Sequence, residues 1–170
     1  ATDDARHGQP LDRANRQIES GIGPDIVTGG NDSDGPALLL FIEERFGRAA
    51  GARVERLFAL RRGNSAGEKI INVDHLGRVH PDQFWQAATF GNVREQPLVQ
   101  ILAHPLRDQL KQRTRYLKGR CGSCRYIEHC RGSHRERALA HSRDMWGPDP
   151  ACVLTDAEIG YSAQEMQARS

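Results

Sequence analysis

Residues 118–132 read KGRCGSCRYIEHCRG, and this stretch decides what kind of protein the chain is. It holds Cys121, Cys124 and Cys130, separated by two and then five residues; Cys152, the last cysteine, follows after a further twenty-one. A CxxC pair points both sulfurs the same way across a short turn, so both can reach one metal centre. The four cysteines reach the number of thiolates that a tetrahedral zinc or a cubane iron–sulfur cluster needs. Thiolates suit both metals, and spacing alone does not separate them. Zinc ribbons bring two CxxC pairs, whereas Cys130 and Cys152 stand far apart in sequence. A thioredoxin-like dithiol fits less well, because GRCGSCRY is not a clear strand-to-helix junction.

A length of 170 residues suits one domain, or one domain with a piece of another. The apolar fraction of 38% describes a polar protein with a modest core. No apolar run approaches the roughly 20 residues of a membrane span. The opening ATDDARHGQP is acidic and polar, unlike a secretory signal, so the cysteines argue for metal rather than disulfides and for a cytoplasmic setting. The chain begins at Ala1 instead of Met, which fits a processed chain or a fragment of a longer one. Net charge is only +2, yet residues 107–143 carry eleven Lys or Arg against Asp108, Glu128 and Glu136. Such a run is a solvated face, or it serves nucleic acid, an anionic substrate or a negatively charged thiolate cluster.

Towards the amino terminus, Leu11, Ala14 and Ile18 recur at helical spacing until Gly21 and Gly23 stop the helix. PDIVTGG reads as a short buried strand, and Asn31, Asp32, Ser33 and Asp34 as a polar loop. Pro36 then opens the apolar helix PALLLFIEERF, with Ser33 or Asp34 as N-cap. Helix, strand, loop and helix in that order suit a barrel or a doubly wound sheet, and one such unit needs further strands to close. A second helix, ARVERLFALRR, ends at Gly63. KIINV and RVHP alternate like two strands of a hairpin turning at Asp74, His75, Leu76 and Gly77. Phe84 and Trp85 read as core rather than as a substrate platform. PLVQILAH and PLRDQLKQR are helical and broken at Pro105, HRERALAHSR is a further helix, and the proline-rich WGPDPAC delivers Cys152.

Four ordered stretches carry a family resemblance: DIVTGGNDSDGP, VHPDQFW followed by GNVRE, LKGRCGSCRYIEHCRG, and PDPACVLTDAEIG. Together they resemble the carboxyl-terminal half of radical AdoMet enzymes with a SPASM-type auxiliary-cluster extension, and within that group the radical AdoMet proteins of haem d1 biosynthesis. The resemblance implies an α+β fold. Residues 1–47 would be the last strand and helix of a partial (β/α) radical AdoMet barrel. Residues 48–170 would be a SPASM-like domain with a β-hairpin and a four-cysteine cluster loop. It also implies that Cys121, Cys124, Cys130 and Cys152 ligate an auxiliary [4Fe-4S] cluster. S-adenosylmethionine and a second [4Fe-4S] cluster belong to an amino-terminal barrel whose CxxxCxxC loop is missing here; that barrel and an electron donor are the implied partners. The implied reaction removes propionate side chains from didecarboxysirohaem, a tetrapyrrole.

Two departures from the general pattern limit the ligand count: Gln83 stands in a hairpin region without cysteine, and His134 stands four residues after Cys130 where a further cysteine is common. His134 is then a ligand, a donor to cluster sulfur, or a polar residue at a helix start, and His129 has similar standing. Asn31 and Asp32 follow the expected barrel strand at the end where barrel enzymes place working residues, and are expected to line a substrate pocket. Arg125 and Arg131 flank the ligand loop and are expected to meet substrate carboxylates. No residue is assigned to catalysis. The competing readings are a SPASM-type enzyme acting on a peptide or another cofactor, and a zinc module that holds nucleic acid through the basic run.

Overall fold

The computed structural model describes Ser20 and residues 30–162. The helix expected around Leu11, Ala14 and Ile18 lies outside the described residues, as does the strand expected in PDIVTGG apart from Gly30.

Helix α1, Asp34–Phe46, and helix α2, Arg48–Arg61, form a hairpin joined through Gly47 alone, whose φ of 84° reverses the chain. Ser33 occupies the N-cap position of α1, but its hydroxyl does not cap. It donates instead toward Asn31 Oδ1 (3.1 Å) and the Ala151 carbonyl (3.3 Å), so the expected cap is replaced by a tie to the chain that brings Cys152. Residues three or four apart share a helix face, and Ala37 and Leu40 of α1 join Val54 and Phe58 of α2 on the inner one. There they close with Leu39 over Tyr126, Leu154 and Ile159.

The expected hairpin forms as β1, Asn72–Val73, and β2, Arg78–His80, paired antiparallel with Val73 opposite Val79. Asp74 sets the turn: its carboxylate accepts from the Leu76 and Arg78 N–H groups, each at 2.9 Å. A third strand, β3 at Gly91–Asn92, pairs with the other edge of β2. GNVRE showed no strand signal because two residues that begin with glycine carry no alternation. Val79, Trp85 and Phe90 pack with Ile101 and Leu110 into a second core cluster. Ile101 ends α3, Leu98–Ile101, and Leu110 lies in α4, Pro105–Lys111, so the helical segment does break before Pro105.

One aromatic expectation is corrected. Trp85 is buried, at 3% exposure, but Phe84 is 54% exposed. The Asp82 carboxylate accepts from both the Phe84 and Trp85 N–H groups (2.8 and 2.9 Å), which fixes a tight turn that sends one ring inward and the other out.

Short helices carry the remainder: α5 at Gly119–Gly122, α6 at Ile127–Cys130, α7 at Arg135–Ser142 and α8 at Asp156–Ile159. A capping box between Thr155 and Glu158 starts α8. Helices around a small antiparallel sheet make this an α+β fold. The basic run is not a uniform solvated face, since Arg113, Arg131 and Arg135 are 0%, 8% and 2% exposed. Among the described residues no helix is long and apolar enough to cross a membrane.

Candidate metal centre

Cys121 sits in α5, Cys124 just beyond it, Cys130 ends α6, and Cys152 comes from the loop before α8. All four are free thiols, and all four line one small cavity. Its other walls include Ile159, Gly132, Asp149, Ser33 and Ser133. Cys124 and Cys152 also pack against the apolar cluster built on Leu39 and Tyr126, so the cavity shares a wall with that core. Among the described residues, no three His, Cys, Asp or Glu side chains stand close enough to hold a single ion.

Backbone geometry explains how Cys130 is presented. The chain leaving α2 passes directly over it: Gly63 has φ 57°, and a Cβ there would collide with the His129 carbonyl and Cys130. Beyond α6 the chain stays left-handed for three residues, Arg131, Gly132 and Ser133, with φ of 54°, 77° and 53°. Non-glycine residues seldom adopt this region, and each costs of order 1–3 kcal/mol. The turn winds the backbone around the sulfur, and the Gly132 N–H donates to Cys130. Burial nevertheless pushes the Cys130 thiol up to about 12, helped by its cysteine neighbours, and burial raises Cys124 and Cys152 as well. Neutral thiols that must lose protons to bind are soft ligands suited to iron–sulfur or zinc.

Asp149 is the knot of the site, and sequence reading missed it. It is 3% exposed, and its carboxylate accepts from Arg137 Nη2 (2.7 Å), Arg137 Nε (3.0 Å), the His134 N–H (3.0 Å) and the Ala151 N–H (3.0 Å). Burial would raise its pKa, but these donors outweigh it and hold the carboxyl below its ordinary value. Arg137 Nη2 also donates to Asn31 Oδ1 at 2.8 Å and to Ser133 Oγ at 3.1 Å. One guanidinium thus joins the loop before α1, the left-handed turn after Cys130 and the segment before Cys152. The only sequence signal was an acidic residue between two prolines near a cysteine.

The remaining sequence candidates divide. Asn31 and Asp32 do line a pocket of about 200 Å³, with Gly30, Phe58, Gly63 and His129 among its other walls. Asp32 is anchored, accepting from Asn64 Nδ2 at 3.0 Å and donating its N–H to Ser133 Oγ at 3.2 Å. Arg125 is exposed and lies over the Tyr126 ring at 4.7 Å. Arg131 is turned inward, against expectation: Nη1 pairs with Glu68 at 2.5 Å and Nη2 donates to the Lys111 carbonyl at 3.0 Å. Its guanidinium is consumed by the fold. His134 is the N-cap residue of α7 and sets its ring edge-on to Phe84, with centroids 5.7 Å apart. His129 faces away from the cavity, with Nε2 3.2 Å from Glu55 Oε1.

A CxxC on a short helical turn, two further thiols on the same cavity and a small antiparallel sheet ahead of them form a recognisable plan. Residues 65–125 match the family model of an iron–sulfur cluster-binding domain, SPASM. Over those residues the chain is similar to a SPASM domain. The match takes in the sheet, Cys121 and Cys124 and stops short of Cys130 and Cys152, so SPASM similarity by itself accounts for half of the cysteine cavity. The cofactor of such a domain is an iron–sulfur cluster. The chain is 38% identical over 151 residues to a pre-heme d1 synthase of Dinoroseobacter shibae, covering 85% of this chain and 37% of that protein. It is 40% identical over 158 residues to an Fe-coproporphyrin III synthase of Methanosarcina barkeri, covering 89% and 39%. A PqqA peptide cyclase of Methylobacterium nodulans is 34% identical over 92 residues, covering 52% and 24%. The chain therefore spans about two fifths of the length of the first two relatives. No solved structure matches.

Proposed function

We propose that this chain is the auxiliary-cluster region of a radical AdoMet enzyme of haem biosynthesis, and that Cys121, Cys124, Cys130 and Cys152 hold one [4Fe-4S] cluster. The observation that carries this is the convergence of all four thiols, drawn from separate segments, on one cavity. Four sulfurs bound to one zinc stand about 3.8 Å apart, as Zn–S bonds of about 2.3 Å require. Cluster thiolates each bind a different iron and stand wider, so the spacing of the four sulfurs in the loaded protein separates the two metals.

The reaction we assign to the whole enzyme removes propionate side chains from didecarboxysirohaem. Its first residues here, 1–47, would complete an amino-terminal barrel that holds S-adenosylmethionine and a second [4Fe-4S] cluster. Asn31 and Asp32 line a pocket beside the cysteine turn that would receive part of the substrate, and the exposed Arg125 is a cation that can meet its carboxylates. A reaction begun by hydrogen abstraction leaves an electron to be passed on. A cluster with four protein ligands supplies a path for it toward the electron-donor protein and has no free iron for the substrate.

The similarity to the Fe-coproporphyrin III synthase is as strong as that to the pre-heme d1 synthase, so a second product is tested alongside. The experiment supplies the enzyme, joined to its barrel, with didecarboxysirohaem, S-adenosylmethionine and reductant under anaerobic conditions, and reads the product by mass. Loss of propionate mass is expected. Fe-coproporphyrin III as product would move the enzyme to the second reading, and turnover of a peptide alone would overturn both.

A further inference from the structure

Arg135 is an unusual arginine. It opens α7, is 2% exposed, and among the described residues has no carboxylate within ion-pair distance. Its hydrogen bonds go to neutral backbone carbonyls: Nη1 to Met145 (2.9 Å) and Gly147 (2.7 Å), and Nη2 to Gly132. Its Nε is buried with no partner. Asp149 and Asp144 act on Arg135 only from a distance, and they are already committed to Arg137 and Lys118. A buried cation costs several kcal/mol unless an anion balances it.

The missing anion has an obvious place. Gly132 lines the cysteine cavity, and a Cβ on Gly132 would stand 3.0 Å from Arg135 Nη2, so the guanidinium lies immediately behind the cavity wall. Cys121 and Cys130, once deprotonated as ligation requires, act electrostatically on Arg135 from across that wall, as Asp149 does already. The other cation at the cavity, Arg120, is paired with Asp156 at 2.8 Å.

We propose that Arg135 is the built-in countercharge of the cluster and a positioning residue that raises its reduction potential. This rests on the reading that the four cysteines ligate the cluster. A thiolate-ligated cubane gains one further negative charge when it takes up an electron, and a fixed cation in a low-dielectric wall favours that reduced state. The same guanidinium stitches the left-handed turn after Cys130 to residues 145–147, ahead of Cys152, so the charge and the geometry of the site are set by one side chain.

The test is a redox titration of the reconstituted protein, followed by EPR, for wild type, Arg135→Gln, Arg135→Lys and Arg125→Gln, with iron counted in each. Loss of charge in Arg135→Gln is expected to shift the reduction equilibrium at least about tenfold toward the oxidised cluster, about 59 mV for one electron. Arg135→Lys, which keeps the charge but not the fork, should stay within about threefold of wild type. Arg125→Gln, an exposed control screened by solvent, should do the same. Full iron with an unmoved potential in Arg135→Gln would overturn the proposal, as would an equal shift in the Gln and Lys variants, which would make the role one of shape alone. If the Gln variant does not fold, a tenfold shift in the Lys variant overturns it. Wild-type protein without iron would instead overturn the ligand reading beneath it.

Discussion

Arg125 and Arg131 flank the same cysteine loop and read alike in sequence, yet the structure gives them opposite fates. Arg131 is buried against Glu68, and removing one member of a buried pair strands the other. Arg131→Gln is therefore expected to lower unfolding stability by about 3 kcal/mol or more in urea titrations. Arg125→Gln forfeits the cation contact with the Tyr126 ring and a 2.7 Å hydrogen bond to its hydroxyl, together about 1–2 kcal/mol. A substrate effect with the smaller stability effect is expected at Arg125, and the larger stability effect at Arg131. Asp149→Ala leaves the Arg137 guanidinium and the His134 and Ala151 N–H groups without their acceptor. The expected cost is about 1.5–3 kcal/mol, because these bonds end on a charged group. Cys152 is three residues away on the same loop, so chelators should also strip iron faster from this variant than from wild type.

At the scale of elements, the two core clusters make separate predictions. Ile101 is fully buried between the sheet and α4, and Ile101→Ala is expected to cost about 2–5 kcal/mol. Gly63→Ala places a methyl against the backbone of Cys130 in a left-handed position. It is expected to destabilise by more than about 1 kcal/mol and, unlike Ile101→Ala, to loosen the metal site before the fold melts. Parallel measurements of iron retention and thermal unfolding on the two variants check this contrast.

The same elements show what a sequence can and cannot reveal. The hairpin was legible because β1 and β2 alternate around a turn with Asp74 and Gly77 at its ends. The helices either side of Gly47 were legible as helices from apolar residues at spacings of three and four, but their packing as a hairpin was not. Strand β3, at Gly91–Asn92, was not, because it is defined only by the edge it pairs with. The cysteines announced a metal centre through spacing. The arginine run did not announce that Arg113, Arg131 and Arg135 turn inward, because residue type records charge and not the carbonyls that will surround it. Asp149 and the left-handed turn after Cys130 escaped for the same reason: both are tertiary facts, fixed by partners more than ten residues away.

For the whole molecule, the cysteine cavity gathers the loop before α1, helices α5 and α6 and the segment before α8 around four thiols. The helical hairpin closes one side through Leu39 and Tyr126, and the sheet cluster lies apart. A ligand that binds only the folded state adds its binding free energy to stability. Anaerobic removal of the metal is therefore expected to lower the melting temperature sharply, the Leu39 and Tyr126 cluster losing the wall it shares with the cysteines. Calorimetry on matched holo and apo samples measures it.

The most direct measurement is the iron, acid-labile sulfide and zinc content of protein purified without oxygen, for wild type and for the single Ala variants of Cys121, Cys124, Cys130 and Cys152. About four irons and four sulfides per chain in wild type, with loss of the cluster in each variant, is the predicted result. One zinc per chain with no sulfide, or full iron retained when Cys152 is replaced, would contradict it.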